Sequence, residues 1–144
     1  PDYPKGTLVS GHFGWRRYLV SDGRSIPLRK IPAGVPSTTA LNVLGITGLT
    51  AWFGMLDIGM PQPGNTVLVS GAAGATGSVA GQLARIAGAR VIGIAGGQKK
   101  CEWLVSELGF EAAIDYKSED TSARVAQLCP DGLDVYLDYL THYL

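Results

Sequence analysis

From residue 66 onward the chain alternates short apolar runs with segments of helical spacing, and glycine marks most of the exchanges. The apolar runs are TVLVS (66–70), RVIGIA (90–95), AAIDY (112–116) and LDVYLD (133–138). Between them lie SVAGQLARIAG (78–88), closed by Gly88, and QKKCEWLVSEL (98–108), stopped by Gly109. A third such segment, SEDTSARVAQLC (118–129), opens on a Ser or Asp suited to cap a helix. A run such as TVLVS is too uniformly apolar for a half-exposed strand and suits one buried on both faces. Strands separated by helices of this length require crossover connections, and therefore a parallel sheet.

The first part of the chain reads differently. GTLVSG and WRRYLVSD, within residues 6–30, carry aromatic and β-branched residues between Gly11, Gly14 and the Ser-Asp-Gly turn at 21–23, which predicts short strands and turns. IPAGVPS (31–37) is loop. From 37 to 56 apolar residues return at helical spacing, interrupted by Gly45 and Gly48, which predicts two short helices. GMPQPGN (59–65) is a break.

The 144 residues, 46% hydrophobic and 17% charged, have a globular composition. Twelve acids against twelve bases leave no net field to attract nucleic acid or an anionic membrane, so neither is expected as a partner. No apolar run approaches the roughly 18 residues of a membrane span. Cys101 and Cys129 read as reduced thiols, and a cytoplasmic location is expected. The chain opens PDYPKG, without Met, and is expected to be a piece of a longer protein.

Chemistry concentrates in SGAAGATGSVAGQ (70–82), where Gly71, Gly74 and Gly77 fall three residues apart between a predicted strand and a predicted helix. Read in the G-x-G-x-x-G register, Ala72 occupies the first glycine position, so the pattern is a relaxed one. Gly74 would let a pyrophosphate approach the backbone and Gly77 would let helix and strand pack closely. The unpaired N–H groups of the first helical turn would face the anion.

The next strand ends in VIGIAGGQKKC (91–101), where a dinucleotide site that favours NAD carries an acidic residue for the ribose. Here Gly96, Gly97, Lys99 and Lys100 stand instead. Without a carboxylate a 2′-phosphate is not repelled. The glycines leave room for it, and Lys99 or Lys100 can supply charge-assisted bonds, so NADP(H) is the expected cofactor. Tyr116 ends the third predicted strand, at the carboxyl edge where open α/β sheets bind ligands. His12, His142, Cys101 and Cys129 lack metal-ligand spacing, and no metal site is expected.

These residues resemble the zinc-independent medium-chain dehydrogenases/reductases, in particular the leukotriene B4 12-hydroxydehydrogenase / prostaglandin reductase group. FGWRRYLVSDG, LGITGLTAWFGMLDIG, TVLVSGAAGATGSVAGQLARIAG, VIGIAGGQKKC, LGFEAAIDYKSED and CPDGLDVYLD carry the resemblance. It implies an α/β fold whose partial Rossmann domain, a doubly wound parallel sheet (61–144), follows the end of a GroES-like β domain (1–35) and a helical connection (36–60). It implies hydride transfer from NADPH to the β-carbon of an α,β-unsaturated ketone or aldehyde, in a homodimeric parent enzyme. The pyrophosphate turn would fall on Gly74, Ala75, Thr76 and Gly77. The 2′-phosphate lysine would be Lys100 and not Lys99, the phosphate-side tyrosine Tyr116, and Thr50 would lie near the nicotinamide. Two departures stand out. Trp52 replaces a usual Tyr, and Tyr139 takes the place of an Asn that approaches the cofactor. The proton-donor Tyr of the group would lie beyond residue 144, so no catalytic residue is assigned. A quinone reductase of the same superfamily and a non-catalytic NADP-binding remnant are the alternative readings.

Overall fold

The computed structural model describes residues 3–138. Two short antiparallel strands, β1 (Val9–Ser10) and β2 (Arg29–Lys30), come first. Helices α1 (Ser37–Leu41) and α2 (Ile46–Trp52) follow, and a π-helix (Phe53–Gly59) continues α2 without a break. The remainder alternates: β3 (Thr66–Val69), α3 (Ala75–Ile86), β4 (Arg90–Ala95), α4 (Gln98–Ser106), β5 (Ala112–Asp115), α5 (Thr121–Leu128) and β6 (Val135–Leu137).

Strands β3 to β6 form one parallel sheet in the order β5-β4-β3-β6. Successive strands step outward from β3 to β5, and β6 then returns to the opposite side of β3. This reversal creates a crevice at the carboxyl ends of the strands, the usual ligand position in open α/β sheets.

Side-chain alternation explains why the strand sequences look uniformly apolar. Val67, Val69, Val91 and Ala95 join one buried cluster with Ala80 and Ala84 of α3 and Leu104 of α4. Leu68, Ile92, Ile94 and Ile114 point the other way, against Val125 and Leu128 of α5 and the buried Cys129. Helices therefore cover both faces, and each fully buried Leu or Ile contributes roughly 1.5–3 kcal/mol. Glycine permits the tightest approaches. A Cβ on Gly93 would stand 2.8 Å from that of Ala72.

The π-helix is seated against β6. A Cβ on Gly54 would lie 3.0 Å from Cδ1 of Leu137, and one on Gly59 would lie 3.0 Å from Cγ1 of Val135. The N–H of Met60 donates to the carbonyl of Met55 at 2.8 Å, the five-residue spacing of a π-turn.

Three expectations need correction. The stretch 15–22 forms no strand, and the partner of Val9–Ser10 is Arg29–Lys30 instead. Strand-like side chains do not suffice without an adjacent edge to take up the backbone N–H and C=O groups, and Trp15, Tyr18 and Val20 lie exposed. Helix α3 begins at Ala75, three residues before the predicted start, because Gly74 serves as an extended N-cap (φ −83°, ψ 171°) and its carbonyl accepts the Ser78 N–H at 2.9 Å. Ala75 to Gly77, read as turn, are its first helical turn. Helix α5 starts at Thr121, later than residue 118, and of the two expected caps, Ser and Asp, it uses the Asp. The side chain of Asp120 accepts the Ala123 N–H at 3.0 Å and so closes its N-terminus.

Candidate cofactor site

At the end of β3 the chain turns through Gly71, held at φ +56°. The N–H of Gly74 donates to the carbonyl of Gly71 at 2.8 Å, and that of Ala72 donates to the Ile94 carbonyl at 2.9 Å, which ties the turn to β4. A Cβ on Gly77 would collide with the Gly71 carbonyl and stand 2.9 Å from Cα of Ala72, so only glycine lets α3 sit this close to the turn. No side chain caps the N-terminus of α3. The N–H groups of a first helical turn lack partners within the helix and, with the helix dipole, favour an anion.

The second half of the site comes from β4 and β5. In their register Ala95 lies opposite Asp115, which brings the turns after the two strands side by side. After Ala95 the chain runs through Gly96 and then Gly97, at φ +100°, into α4, again without a side-chain cap. The phenol of Tyr116 covers Gly96 so closely that a Cβ there would lie 2.6 Å from its oxygen. Asp115 Oδ1 accepts the N–H of Gly97 at 2.7 Å and that of Lys117 at 3.0 Å. These bonds, the one to Gly97 foremost, hold the Asp115 carboxyl below the usual aspartate range. Behind it, Glu119 Oε2 accepts the Asp115 N–H at 2.8 Å, and its other oxygen pairs with Arg124 at 2.8 Å.

Between the two turns lies a cavity of about 170 Å³, walled by Gly71, Ala73, Gly74, Ala95, Gly96, Lys100 and Tyr116. Of the residues singled out from the sequence, Gly74, Lys100 and Tyr116 share this wall. Ala75, Thr76 and Gly77 form the helical turn beside it, with Thr76 and Gly77 buried. Gly97 adjoins it as the N-cap of α4. Lys99 does not line it, and Thr50 is elsewhere, on α2, its hydroxyl donating to the Ile46 carbonyl at 2.8 Å. Sequence reasoning missed Asp115. The sequence pattern points to a carboxylate directly after β4, whereas the one that reaches this turn arrives across the sheet from β5. A larger hollow of about 380 Å³ is lined by residues near β1 such as Val9, Phe13, Arg16 and Leu28 and shares no wall residue with the cavity between the turns.

Among the described residues no group of three or more His, Cys, Asp or Glu could hold a metal ion, and no helix is long and apolar enough to cross a membrane. Cys101 and Cys129 are free thiols, packed against different core clusters on the two faces of the sheet. Tyr139 and His142 lie outside the described residues.

A parallel sheet of this order, with a glycine turn feeding a helix N-terminus at its reversal point, defines a dinucleotide-binding α/β domain of the Rossmann type. Residues 75–143 match the family described as zinc-binding dehydrogenase. The chain is 51% identical over 137 residues to the putative NADP-dependent oxidoreductase YfmJ of Bacillus subtilis, covering 93% of this chain and 40% of that protein. It is 43% identical over 144 residues to prostaglandin reductase 1 of Oryctolagus cuniculus, covering 96% and 40%. Among solved structures, CurA from Vibrio vulnificus superposes with a TM-score of 0.86 at 40% identity, over 95% of this chain and 40% of that one. CurA in complex with NADPH gives 0.79 at 42% identity, over 88% and 37%. The chain belongs to the medium-chain dehydrogenase/reductase superfamily. It spans about 40% of the length of the curated relatives that it matches.

Proposed function

We propose that this chain supplies the NADP(H)-binding half of an oxidoreductase that reduces the carbon–carbon double bond of α,β-unsaturated ketones and aldehydes. The observation that carries the proposal is the cavity between the two glycine turns. One wall offers backbone at a helix N-terminus and the other offers Lys100 and Tyr116, with no carboxylate side chain in the wall itself. The fit is steric as well as electrostatic, since Gly74 and Gly96 leave the cradle open where side chains would close it. Relatives named NADPH-dependent curcumin reductase, prostaglandin reductase 1 and NADP-dependent 2-alkenal reductase support the substrate class.

In this reading NADPH, when bound, would supply hydride for the β-carbon of the substrate, and a proton taken up at the α-carbon would complete the reduction. The turn at Gly74, Ala75, Thr76 and Gly77 holds the pyrophosphate against the positive end of α3. Gly97 shapes the turn into α4, Lys100 pairs with the 2′-phosphate, and Tyr116 closes the phosphate side. Thr50 is assigned, more remotely, to the nicotinamide end. Residues 1–35 belong to a β domain that shapes the substrate site, 36–60 connect it, and 61–144 bind the cofactor. The parent enzyme is a cytoplasmic homodimer.

The test begins with titration of the 144-residue chain by NADPH and by NADH, followed through nucleotide fluorescence. Preference for NADPH of tenfold or more supports the cofactor assignment, and absence of binding refutes it. Turnover of a 2-alkenal over a quinone by the chain joined to its flanking sequence supports the substrate class, and the reverse preference assigns a quinone reductase. Binding without any turnover by that longer protein identifies a non-catalytic module.

A further inference from the structure

We infer that Asp115 is a positioning residue for the phosphate end of this site, and that it sets the preference for a 2′-phosphorylated cofactor without touching it. The inference rests on the NADP(H) reading above. A single oxygen, Oδ1, accepts N–H groups from two different turns: Gly97, after β4, at 2.7 Å, and Lys117, after β5, at 3.0 Å. Those turns carry the two side chains of the cavity wall that can meet a phosphate. Lys100 follows Gly97 by three residues, its N–H donating to the Gly97 carbonyl at 3.0 Å, and Tyr116 lies between Asp115 and Lys117. One carboxylate therefore staples together the loops that present Lys100 and Tyr116.

The turn needs such a staple. Gly97 has φ +100°, and nothing lies within 4 Å of where its Cβ would be, so side-chain packing does not fix it. The staple is itself anchored. The N–H of Asp115 donates to Glu119, Glu119 pairs with Arg124 at 2.8 Å, and the Asp115 carbonyl accepts the N–H groups of Ser118 and Glu119 at 3.0 and 2.9 Å. An aspartate near this position could instead accept a ribose hydroxyl and repel a phosphate, as the acidic residue of NAD sites does. Here Oδ1 is already engaged by two backbone donors. The two roles predict opposite outcomes when the carboxylate is removed.

The experiment is titration of the 144-residue chain, as wild type, Asp115→Ala and Asp115→Asn, with NADPH, NADH and ADP. Charge-assisted hydrogen bonds of this kind are strong enough for a roughly tenfold effect. Asp115→Ala should weaken NADPH about tenfold or more, while ADP, which keeps the pyrophosphate at the first turn but lacks the 2′-phosphate, changes less than about threefold. Asp115→Asn keeps an acceptor at the same reach and should restore NADPH binding to within about threefold of wild type. Tighter NADPH binding by both variants would identify a repelling carboxylate and overturn the positioning role, as would unchanged discrimination in Asp115→Ala. Parallel loss of ADP and NADPH would also overturn it, by marking general damage. A wild-type chain that does not distinguish NADPH from NADH sinks the NADP reading itself, whereas a failure confined to the variants leaves that reading standing.

Discussion

The phenol of Tyr116 takes the space that a side chain on Gly96 would need, a Cβ there falling 2.6 Å from the tyrosine oxygen and 2.7 Å from Cζ. The obstructing atoms are the far end of an exposed side chain, so Gly96→Ala is relieved by rotation of Tyr116 away from the cavity. Its stability cost should stay below about 1 kcal/mol, because the strained contact can escape to solvent. Its effect on the ligand should be larger, with NADPH affinity falling about tenfold as the wall opens. Urea unfolding and NADPH titration check the two halves separately. Unchanged affinity would remove Tyr116 from the site.

The sheet was legible because strands buried on both faces must be written almost entirely in apolar residues. β4 falls on 90–95, as its RVIGIA text predicts. The boundary of α3 was not legible, since Ala75-Thr76-Gly77 reads as turn next to Gly74, and only the Ser78–Gly74 hydrogen bond places it in the helix. Asp115 was illegible for another reason. Its partner Gly97 is 18 residues away, and the Ala95–Asp115 register that joins them arises only when the strands pair. The stretch 15–22 misled in the opposite sense, having the side chains of a strand without the neighbour that a strand requires.

Gly77 and Gly74 differ in what a side chain would meet. At Gly77 the obstacles are the backbone of Gly71 and Ala72, which cannot rotate aside. Gly77→Ala should therefore destabilise the chain by about 1–3 kcal/mol, outweighing the gain of about 1 kcal/mol that alanine brings to a helix. At Gly74 a Cβ would stand 3.0 Å from the Gly71 carbonyl oxygen, a tight contact but no collision, and the residue is extended and exposed, so Gly74→Val should fold at a modest cost in stability. It should nevertheless abolish binding of NADPH and NADH alike, because its side chain would stand in the wall of the cavity. Retained affinity would refute the pyrophosphate assignment. Thermal unfolding of Gly77→Ala at the wild-type midpoint would refute the packing argument.

Lys100 lines the cavity and Lys99, one residue earlier on α4, does not. A charge-assisted bond to a phosphate is worth roughly 1.5–3 kcal/mol, so Lys100→Ala should weaken NADPH by about tenfold or more and leave NADH within about twofold. Lys99→Ala should change neither by more than about twofold. Isothermal titration of the four combinations measures the difference. Equal losses of NADPH and NADH in Lys100→Ala would sink the phosphate role.

The Asp115 staple also has a pH signature with a fixed sign. Its folded pKa is lowered, chiefly by the Gly97 N–H and then by that of Lys117, with the Ser118 side chain and the Lys117 charge adding to the shift and desolvation opposing it. A carboxylate stabilised in its charged form contributes fully above its unfolded pKa, and that contribution is lost as pH falls through the folded one. The hold on Gly97 should thus be constant through neutral pH and fail only in acid, below the usual aspartate range. The amide proton of Gly97, followed by NMR during acidification, should titrate with a midpoint below the ordinary aspartate value, and that of Lys117 should move with it. In Asp115→Asn both resonances should stay flat through that interval, because the side chain no longer ionises. A wild-type midpoint at or above the ordinary value would mean that the two N–H groups do not stabilise the carboxylate, and the staple would lose its physical basis.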